Sequence, residues 1–148
     1  MKRHPSLVHL SREHHGALIL ARLLQKDAPA YKGLPSDTDG KAVYALKFYQ
    51  EDLIKHFEEE EKILPFVKGI NTGLDLLIGA ILDEHRQLHI SFRAIKYNTD
   101  LPGHLDTLGK ALELHVRKEE RQLFPLIQES CSEDLMAEIG RSLSNSQN

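Results

Sequence analysis

The sequence has a single cysteine, Cys131, and no tryptophan. One thiol excludes an intrachain disulfide and leaves no thiolate set for a cysteine-based zinc site. Glycine (9) and proline (6) are sparse and clustered. Eight of these fifteen fall at 28–40, 69–73 and 100–103, where they act as punctuation between helical stretches, and a weaker break lies at 130–132. Neither charge sign dominates: Lys+Arg is 19, Asp+Glu is 22, and the net charge is -3 with histidine neutral. Phosphate binding leans on a basic excess, so no nucleic-acid partner is expected. No apolar run reaches the ~18–20 residues of a membrane span, so no membrane partner is expected either. The opening MKRHPSLVHLSREHH lacks the apolar segment of a secretory leader, which makes the cytoplasm the expected location.

Against these shortages stand 148 residues with 41% hydrophobic and 28% charged side chains. That is enough for one sizeable core, and a single domain over residues 1–148 is expected. There are also nine histidines, and they are concentrated rather than scattered.

The apolar periodicity is helical throughout. The spacing predicts helices over about 11–26, 38–67, 73–97 and 102–129, with a short fifth helix over 133–143 and a frayed tail beyond it. Leu7, Leu10, His14, Ala17, Ala21 and Leu24 form one stripe of the first helix, with Ser11 as a possible cap. Ala45, Tyr49, Asp52, His56, Glu60 and Ile63 share a face of the second, and Pro65 should kink it or begin a separate last turn. Leu74, Leu77, Ile78, Ile81, Leu82, His85, Leu88, Phe92 and Ile95 line the third, with Thr72 and Asp75 reading as a capping box. Leu105, Leu108, Leu112, His115, Glu119 and Leu123 line the fourth, and Ser132 could cap the fifth. The expected fold is all-α, an antiparallel up-down four-helix bundle with a short C-terminal fifth helix.

Each long helix thus places a histidine on its apolar stripe: His14, His56, His85 and His115. A lone buried imidazole is ordinarily a hydrogen-bonded core residue, but four in one core need four partners. Two of them carry a carboxylate one turn later, His56 with Glu60 and His115 with Glu119, and residues i and i+4 project from the same face. With turns near Ile70 and Asp100, His56 lies 14 residues before the first, His85 lies 15 from each, and His115 lies 15 after the second. At ~1.5 Å rise per residue these rings meet at one level of an antiparallel bundle, and His14 can reach it. Glu60 and Glu119 form the adjacent layer. Buried carboxylates are costly without a cation. Four nitrogens and two carboxylates able to bridge describe a two-metal site suited to iron or manganese, with zinc possible.

His15 competes with His14 but shares a partly polar face with Arg12, Ile19 and Arg22. His89, one turn from His85, is a candidate additional ligand or rim residue. Asp52 or Glu84 could accept an imidazole N–H. Glu58, Glu59 and Glu61 read as solvated charges, and His4, His9 and His104 as solvent-facing.

The pieces EHH at 13–15, HFEEEE at 56–61, DEH at 83–85 and HVRKEERQLFP at 115–125 together resemble the hemerythrin-like, HHE cation-binding family, from residue 10 to about 127. The resemblance implies a four-helix bundle holding two non-haem iron ions bridged by carboxylates. His14, His56, His85 and His115 would be terminal ligands, and Glu60 and Glu119 would bridge. It further implies O2, NO or peroxide as the small ligand, in oxygen or redox sensing, iron handling or a stress response. The oxygen carriers of the family have two histidines spaced by four on the third helix; here such a pair would set His85 with Ile81 or with His89. Two other readings stand beside this one. One is a metal-dependent interaction module without turnover, and the other is a metal-free bundle whose histidines pair with Glu60 and Glu119. The expected assembly is a monomer or homodimer.

Overall fold

The computed structural model describes residues 1–147, and every regular element among them is helical. Helix α1 spans Pro5–Leu23, α2 Thr38–Phe48, α3 Ile54–Val67, α4 Thr72–Arg93, α5 Leu101–Lys118, α6 Phe124–Ser130 and α7 Glu133–Gln147. A π-turn, Tyr49–Leu53, joins α2 to α3, and a second, Glu119–Leu123, joins α5 to α6. A 3₁₀ turn, Ala94–Tyr97, extends α4. None of these helices is long and apolar enough to cross a membrane. In this helical bundle α1 packs on α5 and α7, α3 on α7 and α4, and α4 on α5.

The helix ends differ from the sequence reading where local caps outbid the periodicity. Helix α1 starts at Pro5, not near Ser11, because Pro5 suits a first-turn position and the His4 ring accepts from the Ser6 amide at 3.0 Å. Asn71, not Thr72, caps α4, accepting from the Leu74 amide at 2.8 Å, while Asp75 turns to the Gly69 amide. Pro65 neither ends α3 nor begins a new turn; the helix closes two residues later at Val67. Ser132 does cap α7, accepting from the Leu135 amide. That helix is longer than the short piece expected. Met136, Ile139 and Leu143 are buried at its inner face, and the register they set carries it to Gln147. Residues 144–147 of the supposed frayed tail are therefore helical, and residue 148 lies outside the described residues.

The two π-turns were not foreseen. In each, one amide reaches back five residues, Ile54 to the Tyr49 carbonyl and Phe124 to the Glu119 carbonyl. Wide turns of this kind gather at functional sites. The first has a direct consequence: it rotates the chain so that Leu53, at 2% exposure, takes the inner place under Tyr49. Asp52, expected on that face, lies outside.

The apolar interior is divided in two. One cluster gathers Ala17, Leu20, Leu53, Phe57, Leu88, Phe92, Leu108 and Leu112 with their neighbours. The other gathers Leu7, Leu10, Ile63, Ile81, Leu123, Phe124 and the inner face of α7. Along α1 the division falls at His14, along α3 at Glu60, along α4 at His85, and on the fourth strip at Glu119. A polar layer thus crosses the bundle between two apolar blocks that keep water from it.

Helices α1 and α5 approach most closely at Gly109, where an added Cβ would lie 2.5 Å from the Ala21 carbonyl oxygen and 3.0 Å from Leu24 Cβ. Backbone cannot yield as a flexible side chain does. Gly109→Ala is expected to lower unfolding free energy by about 1–3 kcal/mol through overpacking. Denaturant melting checks this, and an unchanged midpoint contradicts the close approach.

Candidate metal centre

His14, His56, Glu60, His85, His115 and Glu119 all converge in the polar layer, each 3% exposed or less. The carboxylates lie between the rings. Glu60 stands 3.4 Å from His14 Nε2, 3.2 Å from His56 Nε2 and 3.2 Å from His85 Nε2. Glu119 stands 3.0 Å from His14 Nε2, 3.6 Å from His85 Nε2 and 3.3 Å from His115 Nε2. None of these approaches has hydrogen-bond geometry. All four Nε2 atoms and all four carboxylate oxygens are buried without a hydrogen-bond partner. The donors fall into two groups that could each hold a metal ion, one of His14, His56, Glu60 and Glu119, the other of Glu60, His85, His115 and Glu119. Both carboxylates belong to both groups.

The outer nitrogens are all satisfied, and by glutamates. His14 Nδ1 lies 2.7 Å from Glu120, His56 Nδ1 2.9 Å from Glu13, His85 Nδ1 2.8 Å from Glu61 and His115 Nδ1 2.8 Å from Glu84. A carboxylate can only accept, so each Nδ1 carries the hydrogen and donates it. A neutral ring then turns a bare Nε2 lone pair toward carboxylate oxygens. That arrangement is repulsive unless positive charge sits between. A metal ion supplies it and gives every orphaned lone pair a partner, so the donor set fits a pair of ions.

The pairing follows an internal two-fold pattern. The dipeptide Glu13-His14 on α1 matches Glu84-His85 on α4, and His56-x-x-x-Glu60-Glu61 matches His115-x-x-x-Glu119-Glu120. Each Glu-His dipeptide lends its glutamate to the histidine of the following helix strip, and each Glu-Glu pair lends its second glutamate to the histidine of the opposite Glu-His helix. Glu120 and Glu84 are held in turn: Ser11 Oγ and Arg3 bond Glu120, and Lys118 pairs with Glu84. Aromatic rings fix the imidazole planes, Phe57 stacking on His85 at 4.4 Å and Phe124 on His14 at 5.6 Å between centroids.

Several sequence expectations need correction. Glu84 does accept an imidazole N–H, as expected, and the donor is His115. Asp52 is exposed and has no such role. Glu61 is not merely a solvated charge. Glu13 and Glu120 were missed, although the repeated Glu-His and Glu-Glu pairs are visible in the sequence. His15 is exposed, leaving His14 as the inward ring. His89 stands apart from the converging groups, its Nδ1 2.6 Å from the Tyr49 hydroxyl. His104 bonds the Ser91 carbonyl rather than solvent, and His4 serves as the α1 cap. Glu59 is buried, and His9 turns its Nε2 toward it.

Residues 6–127 match the family model described as the hemerythrin HHE cation binding domain. The chain belongs to that family. No curated protein matches it, and no solved structure does. Members of a cation-binding family need sites that prefer positive charge, and the electrostatics of this hemerythrin-domain chain have that character. Burial alone would lower the His14 pKa, but the carboxylates of Glu119, Glu120 and Glu60 outweigh it and push it up to about 12. Against the same burial penalty, Glu60 and Glu13 raise His56 to about 9, and Glu119 and Glu60 raise His85 to about 10. His115 is raised likewise, chiefly by Glu119. Burial and the neighbouring Glu60 charge would raise Glu119, yet His115 and His14 bring it down to about 2. Glu60 falls well below its ordinary value against the same burial penalty, through His56, His14 and His85. In the metal-free chain, protons on the rings supply the charge the carboxylates require.

The pH dependence of that metal-free chain follows. The raised His14 contributes stability that is whole below 6.5 and fades as pH climbs toward about 12. The lowered Glu119 contributes stability that is whole above 4.5 and is lost as pH falls toward about 2. Chelator-treated protein is therefore expected to have its highest Tm between pH 4.5 and 6.5, declining on either side. Metal must displace the ring protons, so its stabilising effect should grow as pH rises above 6.5. A chelated protein whose Tm stays flat from pH 6.5 to about 9 contradicts this reading.

Proposed function

We propose that this chain is a non-haem di-iron protein that binds O2, NO or peroxide, acting in redox or oxygen sensing, iron handling or a stress response. The observation that carries the reading is the sharing of Glu60 and Glu119 by two adjacent donor groups, each completed by two imidazoles. His14 and His56 would be terminal ligands of one ion, His85 and His115 of the other, and Glu60 and Glu119 would bridge. Manganese or zinc would suit the same donors. The setting is a single domain over residues 1–148, built as an antiparallel up-down bundle.

Iron in such a centre supplies one-electron redox chemistry and coordination positions open to a small ligand. The protein's part lies in its own side chains. The two apolar blocks keep water from the layer. Glu13, Glu61, Glu84 and Glu120 hold a hydrogen on each Nδ1, which fixes the tautomer and leaves each Nε2 free to bind. The metal-free alternative of hydrogen-bonded ion pairs is disfavoured because none of the ring-to-carboxylate approaches within the layer is a hydrogen bond, and an interaction module without turnover would use the same centre.

The test is metal content after anaerobic iron loading. Wild type is expected to hold about two iron ions per chain, as the two donor groups imply, while His56→Ala and Glu119→Ala each lose one or both. A wild-type content near zero, or unchanged iron in both variants, overturns the assignment. Glu120→Gln keeps the shape but weakens the grip on His14 Nδ1, and is expected to lower metal affinity roughly 10–100-fold. Competition with a chelator of known affinity reads that change, and equal affinity would mean that the outer glutamates do not support the rings.

A further inference from the structure

A second group of donors lies outside the centre. His9 and Glu13 are one turn apart on α1, and Glu59 faces them from α3. His9 Nε2 is 3.4 Å from Glu13 Oε2 and 3.4 Å from Glu59 Oε2. Neither approach is a hydrogen bond, and His9 Nε2 and both Glu59 oxygens are buried without a partner. The Glu59 side chain is only 3% exposed, although its neighbour Glu58 is exposed to water. Holding an ionised carboxylate out of water with no hydrogen bond is costly. Glu13 is not free to swing away from the group. Its Oε1 accepts from His56 Nδ1 at 2.9 Å, which aims Oε2 at His9.

We propose that His9, Glu13 and Glu59 form a third cation site, separate from the di-metal centre, for a divalent transition ion of the zinc type. Donors ~2.1 Å from a tetrahedrally coordinated ion lie ~3.4 Å apart, which is the spacing of His9 from both carboxylates. One imidazole with two carboxylates suits zinc or manganese, whereas magnesium and calcium favour oxygen alone. The His9 side chain is 40% exposed, against 2–4% for the rings of the centre. His9 Nε2 itself is buried, so the exposed edge of that ring marks the way in from solvent, and water can complete the coordination of a bound cation. Glu13 links the site to the centre, since one carboxylate serves both His9 and His56. The inference does not depend on which metal the centre holds.

The test is zinc binding to the chelator-treated full chain, counted by equilibrium dialysis and mass spectrometry. His9→Ala and Glu59→Gln are each expected to bind one zinc ion fewer per chain than wild type. His115→Ala, altered only in the centre, should keep that ion. His9 is partly exposed, so its variant is expected to fold even if Glu59→Gln does not, and far-ultraviolet dichroism checks both. Cobalt(II) gives a second readout, visible absorption expected to fall in His9→Ala relative to wild type by the share of one bound ion. Equal zinc in wild type and a folded His9→Ala overturns the third site and leaves the centre standing. So does loss of all zinc in a folded His9→Ala, because the ring would then serve the centre. Loss of one ion in His9→Ala with no change in the variants of the centre upholds the third site while removing the centre.

Discussion

Two carboxylates, Glu60 and Glu119, are held in the dry middle of the bundle with every oxygen within 3.6 Å of an imidazole nitrogen and none hydrogen-bonded. The whole structure answers to that constraint. A negative pair so placed is tolerable only with positive charge beside it. Protons on the four rings can provide the charge, and the upward shifts of the histidines are the trace of that demand. Metal ions provide it more completely, because they also take up the geometry that hydrogen bonds do not fill. The apolar blocks above and below sharpen the requirement by removing water as a competitor.

The outer glutamates convert a cluster of histidines into a directed site. Without them each ring could flip or exchange tautomers, and its inward nitrogen would not be defined. Each ring instead spends its Nδ1 hydrogen on a glutamate from another helix, so the four helix strips are tied crosswise through the layer. Packing of the two apolar blocks and orientation of the donors are therefore one problem. The internal two-fold pattern solves it twice with the same short segments, which is why two equivalent donor groups share a common pair of carboxylates.

The inner residues were legible because burial and helical period act together on them. A histidine in an apolar stripe has only one face to occupy, as His14, His56, His85 and His115 do, and a glutamate one turn after such a histidine shares that face, as Glu60 and Glu119 do. The outer residues obey no such period. Glu13, Glu61, Glu84 and Glu120 sit beside the stripe, and whether such a glutamate reaches solvent or the next helix depends on interhelical spacing. Glu84 shows the difficulty, since its partner is His115 rather than the adjacent His85. Asp52 was misplaced because periodicity assumes a uniform turn, and the π-turn over Tyr49–Leu53 breaks it. The cap at His4 and the burial of Glu59 depend on side chains that single-helix patterns do not bring together.

X-ray diffraction from iron-loaded crystals, recorded on both sides of the iron absorption edge, bears most directly on the central claim. Two anomalous peaks are expected within the layer, each between a pair of imidazole Nε2 atoms and both flanked by Glu60 and Glu119. An empty layer in fully loaded protein, with iron only at the surface, would contradict it.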